Sequence, residues 1–354
     1  MLNALIAQGL LTCPSCRGWR DGAFINAPLR LGEVWVERQG RPQQGLLRCT
    51  GCGVAHPILD GVAVIVRDTG AWLRASERPV MWRGDLAPGL ERWLRGAWSE
   101  EEDPNWRRQM MAIYSRALEG PASEAEEVYE ARRAALVQGD LLALDAGCGA
   151  GQATLSLARL GARVVAVDLD FGPLRALATL LEEGVARVPR WRHGGGDFTT
   201  AELRLPEGVS PDRVALIAAD MMDPPFAAGG FDLACCYHLL DNVPEPVKLV
   251  RQLHGALRPG GRLALASPYD WSPRATPIAA RLGESISAQG SPDPAQAMRA
   301  LLTGGLPQHA PELAMELLTD LDGLPWSLER HARSVHTYRC HYVEARRPAV
   351  STQG

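Results

Sequence analysis

The sequence contains almost no lysine. Lys248 is the single lysine among 37 basic residues in a chain of 354, and the others are arginines. Because arginine is the default basic residue here, any one arginine is weak evidence for phosphate binding, although its guanidinium group suits that ligand. The chain also lacks an excess of positive charge, since its formal net charge is −4. This balance argues against a dedicated nucleic-acid-binding protein, whose domains are typically strongly basic.

Long apolar runs are also missing. No stretch approaches the ~20 consecutive apolar residues that a helix needs to span a bilayer. Residues 1–11 are mostly apolar, but they carry no basic leader and run directly into a cysteine pair. We therefore predict a cytoplasmic protein without a membrane partner. With 46% hydrophobic and 22% charged residues, the length suits one large α/β domain and a smaller companion.

Four of the eight cysteines form two CxxC pairs near the start of the chain. Cys13 and Cys16 make the first pair, and Cys49 and Cys52 make the second. Two such knuckles complete the tetrahedral thiolate shell that Zn²⁺ prefers and leave no open position for catalysis. A redox role is the alternative, but redox CxxC motifs usually occur singly on a βαβ scaffold. The spacing therefore predicts one structural Zn²⁺ ion bound by the four thiolates.

The run after the second knuckle carries a family resemblance. Residues 56–64 read His-Pro-Ile-Leu-Asp-Gly-Val-Ala-Val, and they resemble the zinc-ribbon activators of methyltransferases. In that family an aromatic-Pro-Ile-x-Asp-Gly-Ile-Pro run follows the second CxxC, so His56 and Ala63 depart from the pattern. Members dock on a methyltransferase as a stabilising subunit. The resemblance implies that residues 1–68 form a zinc-ribbon domain fused to a methyltransferase.

A glycine-rich turn marks the start of the larger domain. The apolar residues 141–144 lead into Asp145-Ala-Gly147-Cys-Gly149-Ala-Gly151, and a helix is predicted directly afterwards. Glycine allows the backbone to approach a ligand closely at a helix amino terminus. A GxGxG turn alone does not distinguish a nucleotide from a dinucleotide site. With Asp145 ahead of it, however, the turn resembles the signature of class I S-adenosylmethionine (SAM) methyltransferases rather than that of NAD enzymes.

The later motifs of that family follow in order. Asp168 ends a second predicted strand, where an acid suits the ribose hydroxyls of SAM or of NAD. Asp220 and Met221 end a third strand and resemble the family's adenine site, in which the acid holds the amino group and the next backbone amide meets the ring. Residues 231–263 match the fourth strand, a helix, a Pro-Gly-Gly turn and the fifth strand. The resemblance implies SAM as cofactor and a Rossmann-like, seven-stranded α/β methyltransferase sheet over residues 138–354.

The catalytic candidates are polar residues that follow the fourth and fifth strands. They are His238, Asp241, Tyr269 and Asp270. His238 has the intrinsic pKa of a general base, and Asp241 is spaced to orient it, but His238 packing beside the cofactor or capping a helix is an equal alternative. The loop at residues 267–272, Ser-Pro-Tyr-Asp-Trp-Ser, looks like that of the imidazole N-methylating enzymes of ovothiol biosynthesis. This resemblance implies a histidine-like small substrate.

Residues 69–137 contain five of the ten tryptophans on segments with helical spacing. These tryptophans are Trp72, Trp82, Trp93, Trp98 and Trp106. We interpret the segment as a helical connector whose tryptophans pack against both neighbouring domains, with a substrate-covering cap as the alternative.

The last part of the chain is predicted to contain a lid and a hairpin. Residues 278–320 have apolar periodicity at 298–302 and 313–318, which predicts helices in a lid insertion. Residues 326–330 and 335–346 alternate and predict a closing antiparallel strand pair.

Three functions compete at this stage. The first is a SAM-dependent methyltransferase of a nitrogen or oxygen atom on a small molecule, with the imidazole as one substrate hypothesis. The second is an rRNA or tRNA base methyltransferase, because bacterial rRNA guanine methyltransferases also pair an amino-terminal zinc site with this fold. The charge balance disfavours the nucleic acid without excluding it. The third is a non-catalytic activator of another protein, against which the intact cofactor motifs argue.

Overall fold

The computed structural model describes residues 1–20, 23–75, 86–96, 123–193, 197–288, 290–331 and 333–349. Three of the connector tryptophans, Trp82, Trp98 and Trp106, lie outside these ranges. Within them, none of the helices has the length and apolar character needed to cross a bilayer.

Most strands belong to one mixed sheet. In chain order the strands are β1 (Gly18–Arg20), β2 (Ala23–Ile25), β3 (Leu29–Arg38), β4 (Arg41–Cys49), β5 (Ala55–Leu59), β6 (Val62–Val64), β7 (Leu142–Ala146), β8 (Arg163–Asp168), β9 (Val185–His193), β10 (Asp197–Arg204), β11 (Val214–Ala218), β12 (Phe231–Tyr237), β13 (Leu257–Ser267), β14 (Glu316–His331) and β15 (Ser334–Arg346). Eleven of them form the order β14-β15-β13-β12-β7-β8-β11-β6-β5-β4-β3, while β1–β2 and β9–β10 are separate hairpins.

Side-chain caps mark the start of some of the helices. The helices are α1 (Leu2–Ala7), α2 (Thr69–Ala75), α3 (Pro88–Gly96), α4 (Glu124–Leu136), α5 (Gln152–Arg159), α6 (Phe171–Glu183), α7 (Pro246–Ala256) and α8 (Pro294–Leu302), with short 3₁₀ turns at Pro211–Arg213, Leu240–Asn242 and Ile278–Ala280. Asp170 accepts a hydrogen bond from the Gly172 N–H at 3.0 Å, and Asp293 accepts one from the Ala295 N–H at 2.9 Å. These carboxylates satisfy donors that a first helical turn leaves unpaired.

The predicted seven-stranded methyltransferase sheet is present. Strands β11, β8, β7, β12 and β13 are parallel, and β15 and β14 add an antiparallel hairpin beyond β13. The parallel strands are almost wholly buried and β-branched or aliphatic, as strands covered on both faces must be. The α/β fold expected from the sequence is therefore confirmed, and the predicted closing strand pair is part of it.

The sheet does not stop at seven strands, which corrects the expectation. β6 pairs in parallel with β11, with Val62 opposite Leu216 and Val64 opposite Ala218, and β5, β4 and β3 continue outward. An edge strand exposes a row of unpaired backbone groups, and β6 satisfies those of β11. The amino-terminal strands thus extend the methyltransferase sheet rather than forming a separate one. That residues 1–68 are a domain in their own right stays a prediction.

Apolar side chains cover both faces of the sheet. On one face, Leu5 of α1 packs in the same buried cluster as Leu249 of α7 and Met298 of α8. On the other face, Tyr129 of α4 joins Leu155 of α5 in a second cluster. The molecule therefore has the helix-sheet-helix layering that parallel strands require.

The predicted lid differs from the structure. α8 occupies the first predicted helix, and its Met298, Leu301 and Leu302 are buried in the core. The second predicted helix, at 313–318, is wrong, because β14 begins at Glu316 and pairs with β15. Pairing across the sheet edge overrides the helical periodicity of this short run.

Candidate active site

A cavity of about 1250 Å³ opens at the carboxyl ends of the parallel strands. Its walls include residues that follow β7, β8, β11, β12 and β13. The strand order runs outward in both directions from β7, so the crevice lies at the switch point where open α/β sheets bind ligands. The volume exceeds the ~300–1,000 Å³ of typical small-molecule pockets. It offers room for a cofactor and a second small molecule together.

The glycine-rich turn forms one wall of the cavity. Gly147, Gly149 and Gly151 have φ angles of 74°, 51° and 96°, which side-chain-bearing residues rarely adopt. A Cβ atom on Gly151 would lie 2.5 Å from Leu177 Cδ2. Gly147 and Gly149 line the cavity, and α5 begins just beyond the turn. The amino terminus of a helix and a bare backbone therefore face the ligand space.

Two carboxylates lie behind this turn, with Asp145 buried and Asp168 partly buried. Asp145 accepts a hydrogen bond from the Thr154 hydroxyl at 2.5 Å. Asp168 accepts one from the Gly149 N–H and another from the Asp170 N–H, both at 2.9 Å. Burial raises the pKa of each carboxyl to about 6. Both line the cavity, so the structure brings them together with the turn as the sequence predicted.

The predicted adenine-site residues are only partly exposed to the cavity. Asp220 lines it, and its Oδ1 accepts a hydrogen bond from the Met222 N–H at 2.8 Å. The side chain of Met221 is buried in the core instead. Any contact of Met221 with a ligand would involve its backbone, and that role stays a prediction.

His238 directly follows β12 and also lines the cavity. Its ring stacks on that of Trp326, with centroids 3.6 Å apart and planes 9° apart. Its Nδ1 lies 3.9 Å from the Cys340 sulfur, and its buried Nε2 has no hydrogen-bond partner among the described residues. Burial lowers the pKa of His238 to about 3. The imidazole is therefore neutral, and its Nε2 is enclosed by protein.

The structure does not form the predicted pair of His238 and Asp241. Asp241 Oδ1 instead accepts a hydrogen bond from the Ser267 hydroxyl at 3.4 Å, across to the end of β13. The 3₁₀ turn at Leu240–Asn242 directs its carboxylate toward that strand. Burial, followed by the nearby Asp270 carboxylate, raises the pKa of Asp241 to about 7. Both His238 and Asp241 line the cavity, but they act on it separately.

Tyr269 and Asp270 point to opposite sides of their loop. Asp270 is exposed and lines the cavity. Tyr269 has a φ angle of 56°, and its hydroxyl lies 2.7 Å from His341 Nδ1, away from the described cavity wall. The prediction of Tyr269 as a residue that faces substrate is therefore not supported. Its neighbour Trp271 lines the cavity instead.

Several lining residues were missed by the sequence analysis. Glu126 and Arg133 come from α4, while Trp326, His336 and Tyr338 come from the β14–β15 hairpin. No local motif marks these positions, because they reach the cavity only through packing of distant elements. The described cavity wall includes no residue between 278 and 320, so the predicted lid does not cover it.

Trp72 fits both interpretations of residues 69–137, the connector and the substrate-covering cap. Its indole N–H donates to the Leu169 carbonyl oxygen at 2.9 Å, and its ring meets Phe171 edge-on at 5.8 Å. It also lines the cavity. Trp72 therefore connects its segment to the residues that follow β8 and forms part of the cavity wall.

The four amino-terminal cysteines form one cluster. The sulfur atoms of Cys13, Cys16, Cys49 and Cys52 all lie within 4.8 Å of one another, with 3.6 Å between Cys16 and Cys49 and 3.9 Å between Cys13 and Cys52. A tetrahedral Zn²⁺ with bonds of about 2.3 Å places its sulfurs ~3.8 Å apart. The Gly51 and Cys52 N–H groups donate to the Cys49 sulfur, as in a metal knuckle. The donor set and spacing fit one tetrahedral metal ion.

Arg17 connects this cluster to the cavity. It follows Cys16 directly and donates to Asp223 Oδ1 at 3.1 Å and to the Pro224 carbonyl oxygen at 2.7 Å. Arg67 donates to the other oxygen of Asp223 at 2.6 Å. Asp223 lines the cavity. The amino-terminal module therefore holds part of the wall next to Asp220.

Comparison with known proteins finds similarity in the central part of the chain. Residues 144–265 match the family model of a methyltransferase domain. The ubiquinone biosynthesis O-methyltransferase of Pseudomonas aeruginosa (strain UCBPP-PA14) is 29% identical over 124 residues, which cover 35% of this chain and 43% of that protein. The enzyme of the same name from Xanthomonas axonopodis pv. citri (strain 306) is 34% identical over 126 residues, covering 35% and 41%. The chain thus spans less than half the length of these curated relatives.

Two solved structures are also similar. The N-methyltransferase NodS from Bradyrhizobium japonicum WM9 has 16% sequence identity and a TM-score of 0.39, covering 63% of this chain and 96% of that one. A SAM-dependent methyltransferase from Aquifex aeolicus has 14% identity and a TM-score of 0.38, covering 70% and 100%.

The buried carboxylate Asp145 gives a pH-dependent stability. Its folded pKa of about 6 lies above the ordinary 3.8, so its contribution is full below about pH 4 and is lost as the pH rises toward 6. We expect D145N, which can still accept the Thr154 hydrogen bond, to remove this loss, on the order of 2 kcal/mol per carboxylate. Urea unfolding of the ligand-free protein from pH 4 to 7 measures it.

D140N is the matched control. Asp140 is exposed, and arginine contacts lower its pKa, with the Arg213 hydrogen bond first. Asp140 therefore titrates below the range from pH 4 to 7. D140N should show the wild-type dependence of the unfolding free energy on pH. A D145N slope equal to that of wild type would contradict the assignment.

Proposed function

With a methyltransferase domain at its centre, we propose that this chain transfers the methyl group of SAM to an oxygen or nitrogen atom of a small planar molecule. One observation carries the proposal: a single cavity is lined both by the glycine turn with its carboxylates and by several aromatic rings. We assign the glycine and carboxylate part, the cofactor end, to SAM and the aromatic part, the acceptor end, to the methyl acceptor.

The cofactor end supplies groups that match SAM. Asp168 would accept hydrogen bonds from the ribose hydroxyls, and Asp220 would accept one from the adenine amino group, as the resemblance to class I enzymes implies. Gly147 and Gly149 allow the backbone to approach the ligand without a Cβ. SAM supplies an electrophilic methyl group on a sulfonium. The protein then needs to align the acceptor and exclude water.

The acceptor end is lined by aromatic side chains. Tyr237, His238, Trp271, Trp326 and Tyr338 contribute rings to it. Aromatic walls favour a flat substrate through stacking and exclude water from the reacting atoms. The named relatives are O-methyltransferases of ubiquinone biosynthesis, which favours a ring hydroxyl as the reacting group. A histidine-like imidazole is equally flat and remains the nitrogen alternative.

We propose that Asp241, rather than His238, is the general base that removes the proton of the acceptor. Asp241 lines the cavity with a pKa near 7, and a base whose pKa is close to the working pH is the most effective. The neutral His238 would instead contribute its ring to the aromatic part of the wall. Asp270 borders the same region from the exposed side.

We also propose that the cysteine cluster holds one structural Zn²⁺. Four thiolates close the tetrahedral shell, so the ion would have no position for substrate. Its role would be to hold the knuckles, and through Arg17 the Asp223 wall of the cofactor cavity.

Calorimetric titration with SAM tests the cofactor site. We expect about one SAM per chain, and about tenfold weaker binding by D168N, because one charged hydrogen-bond acceptor is lost. D212N is the control, since Asp212 is 80% exposed and pairs with Arg41 outside the cavity. No heat from the intact protein would favour the non-catalytic activator.

A SAM-consumption screen of quinols, catechols, histidine derivatives and total RNA tests the acceptor class. With the acceptor so found, we expect the rate to rise with pH through about 7 and this limb to disappear in D241N, which cannot take a proton. D270N should keep the limb but move it to lower pH, because the Asp270 carboxylate raises the pKa of Asp241. Turnover with RNA alone would replace the small-molecule proposal by the RNA one.

Elemental analysis tests the metal proposal. We expect about one zinc ion per chain, and its loss in the C13S/C49S double variant, with a melting temperature lower by more than about 5 °C. C236A, a buried strand cysteine outside the cluster, should retain the metal. A double variant with wild-type melting would contradict the structural role.

A further inference from the structure

Three polar side chains form a hydrogen-bonded series behind the loop that follows β13. The Tyr269 hydroxyl lies 2.7 Å from His341 Nδ1, and His341 Nε2 lies 2.8 Å from Asp320 Oδ1. Arg299 of α8 donates to the other oxygen of Asp320 at 2.5 Å. We call Tyr269, His341 and Asp320 the clamp. None of the three belongs to the described cavity wall.

Two residues of the clamp, His341 and Asp320, lie on neighbouring strands of the sheet. His341 lies on β15 directly opposite Ser267 of β13, and it is 1% exposed. Asp320 lies on β14, the next strand of the sheet. β14 and β15 are paired, and β15 is paired with β13. The side chains of His341 and Asp320 therefore have fixed positions relative to the end of β13.

The direction of the hydrogen bonds follows from their partners. An ionised carboxylate only accepts hydrogen bonds, so His341 Nε2 donates to Asp320. In the imidazole tautomer that carries its proton on Nε2, Nδ1 is an acceptor and the Tyr269 hydroxyl is its donor. The clamp therefore holds Tyr269 with one defined polarity.

Tyr269 needs such a restraint. Its φ angle of 56° is in the left-handed region, which a bulky residue adopts only where its surroundings enforce it. Its N–H also donates to the Ser267 hydroxyl oxygen at 3.0 Å, and that hydroxyl donates to Asp241. The side chain and the backbone of Tyr269 are thus both held.

The loop that Tyr269 begins forms part of the acceptor end. We call residues 268–275 the acceptor loop, and Asp270 and Trp271 of this loop line the cavity. At its far end, the Ser272 N–H donates to the Asp241 carbonyl oxygen at 2.9 Å. The left-handed turn at Tyr269 sends its ring to the clamp and its next two residues to the cavity.

We propose that Tyr269, His341 and Asp320 are positioning residues that set the acceptor loop, and with it Asp270 and Trp271, against the methyl acceptor. This inference rests on the proposed function for the role of the loop. The clamp is not a proton path, because the contact between Tyr269 and Ser267 uses a backbone N–H that does not exchange its proton during a reaction cycle. It acts through geometry alone.

Hydrogen exchange of the ligand-free protein, followed by mass spectrometry on peptides covering residues 268–276, tests the clamp. We expect Y269F to raise exchange there about fivefold, because one buried hydrogen bond is lost. H341Q places its amide near the former Nε2 and should behave like Y269F. H341N places an acceptor near the former Nδ1 and should restore exchange toward the wild-type rate.

Y342F is the matched control. Tyr342 is the next residue on β15, is buried, and donates its hydroxyl to Glu344 at 2.7 Å. We expect it to lower the melting temperature about as much as Y269F while leaving exchange in the acceptor loop unchanged. If Y269F folds poorly, the clamp is tested with D320N and with the H341N and H341Q pair. Asp320 is partly exposed, so D320N suits this purpose.

Two outcomes would overturn the proposal. One is wild-type exchange in the acceptor loop of Y269F and H341Q, and the other is equal acceleration in Y342F, which would indicate general loosening. The SAM titration of the intact protein stands apart from this result. An absence of SAM binding would remove the proposed function and leave the measured restraint of the loop as it is.

Discussion

The parallel pairing of β6 with β11 is the constraint on which the arrangement depends. β11 would otherwise be the edge of the methyltransferase sheet, with its backbone groups unpaired. By covering that edge, β6 brings the cysteine cluster beside the β11–β12 loop, where Arg17 and Arg67 hold Asp223. The same pairing leads the chain from Val64 toward Trp72 at the cavity wall. The β6–β11 pair therefore places the cysteine cluster and the cavity on a single sheet.

The cavity wall combines two kinds of chemistry. Asp145 is buried and Asp168 is partly buried behind a glycine turn whose conformation excludes side chains. Aromatic rings contact a neutral histidine, and Asp241 has a raised pKa. Burial is the common cause of these shifts, because it penalises the charged form of each group. A dry, walled site of this kind suits methyl transfer, in which alignment and exclusion of water contribute more than covalent help from the protein.

The accuracy of the sequence analysis follows the range of each interaction. The two CxxC pairs, the glycine turn and Asp168 were recognisable because each motif is contained in a short run or ends a buried strand. The pair of His238 and Asp241 was not formed, since the 3₁₀ turn between them sends Asp241 toward Ser267. Tyr269 was taken for a cavity residue because strand-end position does not reveal a left-handed φ angle. Glu126 and Trp326 were missed, because no local pattern shows that a helix before the domain and a hairpin after it meet at one crevice.

The sequence by itself determined the α/β class, the order of the cofactor motifs and the composition of the cysteine cluster, because these depend on strand periodicity, glycine geometry and ligand spacing along the chain. Only the tertiary structure decided that the sheet has eleven strands, that the acceptor end is aromatic, and that Tyr269 faces His341 rather than the cavity. These features arise from contacts between residues far apart in the chain. Such contacts are selected by packing and backbone pairing across the whole sheet, which local pattern does not encode.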